Sequence, residues 1–252
     1  MNKRMSDTLL VASIIQKTWR NKMIFTGTDA AAMIDISAVR THHTLKDVQE
    51  VAALGMKYHF INVHVLPNWV PELAALLRDS EDTLVGSAVG FPSGGASTIV
   101  KLKEEEQLLK DGAQELDFVM NVGRFKSKEF DYVENELKQL IESAGPQIVK
   151  KVIIEVNCLT RQEVFDACDL VAASGADFVK TSTGWIPGGL DVELIQDIKT
   201  HCGKEIKVKA AGGIRTCEDF ISLVKMGVER IGINVRSAIE IVNALNEKPY
   251  VF

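Results

Sequence analysis

Cysteine is scarce in this chain, and none of it is paired by spacing. Cys158, Cys168, Cys202 and Cys217 are the only thiols in 252 residues. That is too few for a disulfide-stapled miniprotein. No C-x-x-C spacing occurs, so neither zinc nor dithiol chemistry is indicated. The simplest setting is a reduced, cytoplasmic one. Basic runs are missing too. With a net charge of -5 and a pI near 5.6, no nucleic-acid partner is expected. A small anion remains possible, since a local site can be positive on an acidic protein. His42, His43, His59, His64 and His201 have no tight metal-ligand spacing, and no metal or other cofactor is expected. One uncharged stretch, residues 83–100, reaches a membrane-spanning length. Gly86, Gly90, Pro92, Gly94 and Gly95 break it into a strand, a loop and a helix start, so no membrane partner is expected. Lys3 and Arg4 precede LLVASII, but Asp7 intervenes and no A-x-A site follows. An amphipathic helix over about 6–20 fits better than a leader.

What is present is an ordinary globular composition, 46% hydrophobic and 25% charged, which excludes a disordered chain. Eight short β-branched runs follow one another: 33–37, 60–66, 83–89, 115–121, 151–157, 177–182, 205–210 and 230–234. Helical patterns separate them at about 44–55, 70–78, 97–111, 129–143, 161–173, 191–200 and 216–225, with a last one at 237–246. Gly112, Gly175 and Gly227 stand between a helix end and the next strand, where a left-handed cap is expected. Eight β/α repeats without a linker predict an α/β fold, a single (β/α)8 TIM barrel with an extra N-terminal helix. The domain covers 1–252, with 1–30 as helix and lead-in and 246–252 as a tail. A doubly wound sheet would favour a glycine-rich loop after the first strand, and SAVRTHHTL has no glycine.

Alternation along the strands places an unusual set of side chains inside the barrel. Asp117 and Asn121 share a face, as do Glu155 and Asn157, Lys180 and Ser182, and Lys207 and Lys209. Asn62, His64 and Asp35 follow the same rule. The opposite face must be apolar to meet helices, so these polar groups point inward. Barrel interiors usually hold Val, Ile and Leu, and a buried lysine needs a partner or loses its proton. Lys207 is expected in an internal ion pair, such as with Glu155. Lys180 and Lys209 lie near the C-terminal ends of adjacent strands, where barrel active sites are built. Two close lysines lower each other's affinity for a proton, and a neutral lysine can attack a carbonyl to form a Schiff base. The iminium then serves as an electron sink for breaking or making a carbon–carbon bond, and Asp117 could move protons. His64 is either part of this site or a satisfied interior histidine, whereas His42 and His43 read as a solvated pair.

Glycine-rich loops follow the last three strands: STGWIPGG (182–189), AAGGIRT (210–216) and RIGINVRS (230–237). Such loops let backbone N–H groups approach a ligand, and barrels often bind phosphate there with a helix N-terminus. The candidate substrate and phosphate contacts are Asp35, His64, Thr183, Gly184, Gly212, Gly213, Gly232 and Asn234.

Five segments, VGFPSGGAST (89–98), GAQELDFVMNVGRFKSKEFDYVENEL (112–137), KVIIEVNCLT (151–160), ADFVKTSTGW (176–185) and KVKAAGGIRT (207–216), resemble the deoxyribose-phosphate aldolase family over most of residues 33–240. The resemblance implies a class I aldolase that cleaves 2-deoxyribose 5-phosphate, reversibly and without a cofactor, to glyceraldehyde 3-phosphate and acetaldehyde. It implies Lys180 as the Schiff-base lysine, Lys209 as the second lysine and Asp117 as the acid of the proton relay. The chain departs from the family pattern at Arg40, His64, Leu66, Asn157 and Asn234, which predicts a working aldolase with an altered preference among sugars. Two other readings stay open: a non-catalytic sugar-phosphate binder, and another phosphate-binding barrel such as an isomerase. The lysine pair speaks against both. A homodimer is expected on general grounds. Tyr250 and Phe252 either fold over the barrel mouth or belong to a frayed end or subunit contact.

Overall fold

A computed structural model describes residues 24–252; the helix expected over 6–20 lies outside the described residues. Eight parallel strands close a barrel in sequence order. They are β1 (Ile34–Ala38), β2 (Asn62–Val65), β3 (Leu84–Val89), β4 (Glu115–Val119), β5 (Val149–Ile153), β6 (Phe178–Lys180), β7 (Lys207–Ala211) and β8 (Arg230–Gly232). The helices that follow them, each in turn, are α1 (Leu45–Tyr58), α2 (Val70–Leu76), α3 (Thr98–Lys110), α4 (Phe130–Ala144), α5 (Arg161–Ala173), α6 (Val192–Cys202), α7 (Cys217–Lys225) and α8 (Val235–Glu247).

The outward side chains of the strands, among them Ile36, Val63, Leu116, Val152, Val179 and Val208, are fully buried against these helices. The helices answer with stripes at helical spacing. On α4, Val133, Leu137, Leu140, Ile141 and Ala144 are buried, together with the one acid Glu136, while the other charges of the helix lie outside this stripe. Capping fixes where several helices begin. Thr44, Thr160 and Thr216 each form a capping box with the acid three residues on, Asp47, Glu163 and Asp219. Each cap contributes about 1 kcal/mol and holds a helix start at the C-terminal face of the barrel, beside the loops that build the site.

Two short helices went unread in the sequence, Gly27–Ala31 and Val122–Lys126. The strand Ile24–Phe25 pairs antiparallel with Tyr250–Val251. Because α8 runs away from the C-terminal end of β8, this ribbon sits at the opposite, N-terminal face. The C-terminal tail therefore neither frays nor covers the mouth: Phe252 packs edge-on against Phe25 with ring centres 5.7 Å apart.

The strand ends also correct three expectations. β4 stops at Val119, and Asn121 caps the helix Val122–Lys126 by accepting from Arg124 N at 3.2 Å. β5 stops at Ile153; Glu155 takes a left-handed φ of 55° and 156–158 form a 3₁₀ turn, so Glu155 and Asn157 do not alternate along a strand. β6 stops at Lys180, which puts Ser182 in a loop, where its Oγ donates to Ala211 O. At Asn121 the side chain satisfies a backbone group locally, whereas Glu155 and Ser182 bond to neighbouring loops, at Thr183 N and Ala211 O.

Candidate active site

Charged side chains from six strands converge inside the barrel. Asp117 on β4 is fully buried. Its Oδ2 accepts from Lys180 Nζ at 2.6 Å and from Lys209 Nζ at 3.0 Å. Its Oδ1 lies 3.3 Å from Lys151 Nζ, and His64 Nε2 lies 3.3 Å from Oδ2. A second tier sits beneath. Asp35 on β1 meets Lys209 at 2.5 Å and Arg230 at 2.7 Å. Glu115 on β4 meets Lys151 and Arg230, both at 2.5 Å. Strand register produces this arrangement: Lys180 pairs directly with Lys209, and Lys209 with Arg230.

Three carboxylates face four cations, so the cage carries one positive charge too many when every group is ionised. Burial alone would raise the Asp117 carboxyl, but His64, Lys180, Lys209 and Lys151 outweigh it and hold Asp117 well below the usual carboxylate range. Asp35 is held down in the same way by Arg230, Lys209 and Lys151 against burial. Lys209 shows the opposite balance. Burial, helped by Lys180 and Lys151, pushes its ammonium down to about 8 although Asp117 and Asp35 favour the charged form. Burial likewise lowers His64 despite the pull of Asp117. Gly86 makes room for that histidine, since a Cβ there would stand 2.5 Å from His64 Nδ1.

Among the lysines of the cage, side-chain exposure grades steeply: 11% for Lys180, 2% for Lys209 and none for Lys151. Only Lys180 reaches the mouth. The chain just after it is clamped by Glu155, whose buried carboxylate accepts from Thr183 N at 3.2 Å and from Thr183 Oγ1. The loop after β7 passes close by. Gly213 has φ +76°, and a Cβ there would come 2.3 Å from Leu190 N, so only glycine lets these two loops touch. At the end of β8, Asn234 caps α8 by accepting from Ser237 N at 3.0 Å. Its side chain is committed to the helix, leaving the first-turn N–H groups of α8 as the donors available to an anion.

The structure thus brings Lys180, Lys209, Asp117, Asp35 and His64 into one cluster, with Gly232 at the end of β8 and Thr183, Gly184, Gly212, Gly213 and Asn234 in the loops above it. The expected pair between Lys207 and Glu155 does not form. Lys207 lies at the base of the barrel over the Phe178 ring, 5.2 Å from its centre, and Glu155 is spent on Thr183. Sequence reading missed Glu115, Lys151 and Arg230. The same alternation would have found them: 115 with 117, 151 with 153, and 230 with 232.

The family described as DeoC/LacD family aldolase matches residues 67–234. The chain is 45% identical over 214 residues to deoxyribose-phosphate aldolase of Rhizobium meliloti, covering 85% of this chain and 86% of that protein. Among solved structures it is similar to an aldolase designated QR15, with a TM-score of 0.81 and 36% identity over 87% of this chain and 97% of that one. It is also similar to the tetrameric deoxyribose phosphate aldolase of Aeropyrum pernix, with a TM-score of 0.79 and 28% identity over 87% of this chain and 92% of that one.

Proposed function

The chain belongs to the DeoC/LacD family of aldolases, and from that premise we propose that it cleaves 2-deoxyribose 5-phosphate reversibly to glyceraldehyde 3-phosphate and acetaldehyde through a lysine imine. The observation that carries this reading is the triangle in which Lys180 and Lys209 share one oxygen of Asp117, at 2.6 and 3.0 Å. Lys180 is the nucleophile because it alone combines that contact with access to the mouth. The unprotonated amine is the form that attacks a carbonyl.

The amine attacks the aldehyde carbon, and the carbinolamine loses water to give an iminium. Asp117 and Lys209 lie where they can return the protons that this step needs. A base then takes the proton from the hydroxyl two carbons along. The bond joining that hydroxyl's carbon to the carbon next to the iminium breaks, its electron pair flows into the iminium, and glyceraldehyde 3-phosphate leaves. The remaining enamine takes a proton on carbon, and water releases acetaldehyde and the amine. The iminium is itself the electron sink, so the scheme calls for no cofactor. Asp35 and His64 would hold the charge and hydroxyl groups of this scheme in place. The backbone of Gly184, Gly212, Gly213, Gly232 and Asn234, with the Thr183 hydroxyl, would receive the sugar and its phosphate.

Among the described residues no helix is long and apolar enough to cross a membrane. A cytoplasmic setting fits the free thiols of Cys158, Cys168, Cys202 and Cys217, and a second copy of the chain is the partner that general symmetry favours.

Borohydride reduction in the presence of 2-deoxyribose 5-phosphate or acetaldehyde should leave one covalent adduct, mapped by peptide mass spectrometry to Lys180. Lys180→Ala should give none. An adduct on another lysine, or product formation with no trapped adduct, would overturn the assignment.

A further inference from the structure

Three loops that spring from non-adjacent strands meet over the cage. The indole Nε1 of Trp185, five residues past Lys180, donates to Val39 O at 3.2 Å. Arg40 Nη2 donates to Gly184 O at 2.8 Å, and its guanidinium lies 5.6 Å from the Trp185 ring centre. The Phe91 ring meets Trp185 edge-on at 5.8 Å, with an interplanar angle of 88°. Val39 and Arg40 directly follow β1, Phe91 follows β3 by two residues, and Trp185 follows β6.

In a closed barrel these strands stand two, three and three places apart around the ring. No arc between them reaches half the circle, so the triangle they make encloses the barrel axis. Segments this close to their strand ends can touch only by leaning inward across the mouth. Trp185 is therefore a beam laid over the opening, tied at one side to the β1 loop and braced at the other by Phe91. It is half-buried, with one face given to Arg40.

We propose that Trp185 is a specificity-determining residue: its ring roofs the imine site and limits the size of the aldehyde that can reach the enamine, with Arg40 holding the roof in place. This rests on the imine chemistry argued above. A planar ring clamped from two sides excludes by bulk, and such steric selection costs the larger substrate through kcat/KM rather than through the chemical groups of the cage.

The test uses acetaldehyde as donor with two uncharged acceptors that differ in bulk, propanal and phenylacetaldehyde. In Trp185→Ala the ratio of kcat/KM for phenylacetaldehyde over propanal should rise by about tenfold or more. Trp185→Phe keeps a ring against Phe91 but loses the bond to Val39, and should move the ratio less. Arg40→Ala, at an exposed position outside the core, should raise it by roughly threefold, and it carries the test if Trp185→Ala does not fold. A ratio within about twofold of the unmodified enzyme in every folded variant overturns the roof, provided acetaldehyde is still trapped on Lys180 by borohydride. Absence of that adduct in the unmodified enzyme overturns the imine reading instead, and the roof with it.

Discussion

Lys180 and Lys209 occupy directly paired positions on neighbouring strands and donate to the same carboxylate oxygen, Oδ2 of Asp117. Two ammonium groups on one acceptor cannot both be comfortable. Their shared partner couples them, so a proton lost from one is felt by the other. Burial differs between them, and this splits the work: the more exposed amine meets substrate, and the deeper one stays as a cation and proton source.

That division has a kinetic consequence. Lys209→Met should lower kcat by on the order of 10²–10⁴ while borohydride still traps a slowly formed adduct on Lys180. Lys180→Ala should remove both turnover and adduct. Single-turnover assays with quench and mass spectrometry separate the two. Equal, complete loss of the adduct in both variants would refute the split.

The pH dependence follows from Lys209, pushed down to about 8. Below that pH Lys209 holds the proton it supplies to the imine step; above it that proton is lost. The rate of imine formation with acetaldehyde should therefore fall as pH rises past about 8. Lys151 contributes to the depression, so Lys151→Met should move the inflection to higher pH. A shift to lower pH would show that the charge balance is misread.

Glu105 gives a stability test away from the site. It is buried on α3 without an ion-pair partner among the described residues, and burial, only partly offset by Ser143, raises its carboxyl to about 7. The folded protein then binds a proton between about 4.5 and 7 that the unfolded chain has lost. Stability falls as pH rises through this window, and the penalty is complete above it. Glu105→Gln should raise Tm at pH 8 by several degrees, at roughly 2–4 °C per kcal/mol, and change little near pH 4. Calorimetry at both pH values checks this, and an equal shift at the two would sink it.

Lys101 and Glu136 form a fully buried pair between α3 and α4 at 2.6 Å, and Lys101 Nζ also donates to Val119 O at the end of β4. Lys101→Met strands the Glu136 charge and should cost about 3–5 kcal/mol, read by urea unfolding. Lys101→Met with Glu136→Leu should recover part of that loss. No recovery would mean that the bond to Val119 O, rather than the pairing, is what matters.

Strand order, helix order and the β6–β7 lysine pair were legible in the sequence because alternation and helical spacing are local signals. The errors share one cause. Asn121, Glu155 and Ser182 continue an alternating pattern past the point where the strand stops, and their side chains are used in caps and turns that periodicity does not register. The partners of the lysines were also hidden. Pairing Lys151 with Glu115, or Arg230 with Asp35, needs the register between strands, which no single segment contains. The meeting of Val39, Phe91 and Trp185 is less visible still, since it joins residues up to 146 positions apart in the chain.

The source of each charge in the cage bears on how the barrel assembles. All four cations come from β5 to β8, whereas the carboxylates come from β1 and β4. A chain that has formed β4 to β8 but not closed holds Glu115 and Asp117 against four positive groups. The last carboxylate, Asp35, arrives only when β1 docks beside β8, where it takes Arg230 and Lys209 together. The seam of the barrel is thus an electrostatic latch. The same groups proposed to run the chemistry also reward the one strand order that completes the ring, and an open or misordered intermediate is left repelling itself.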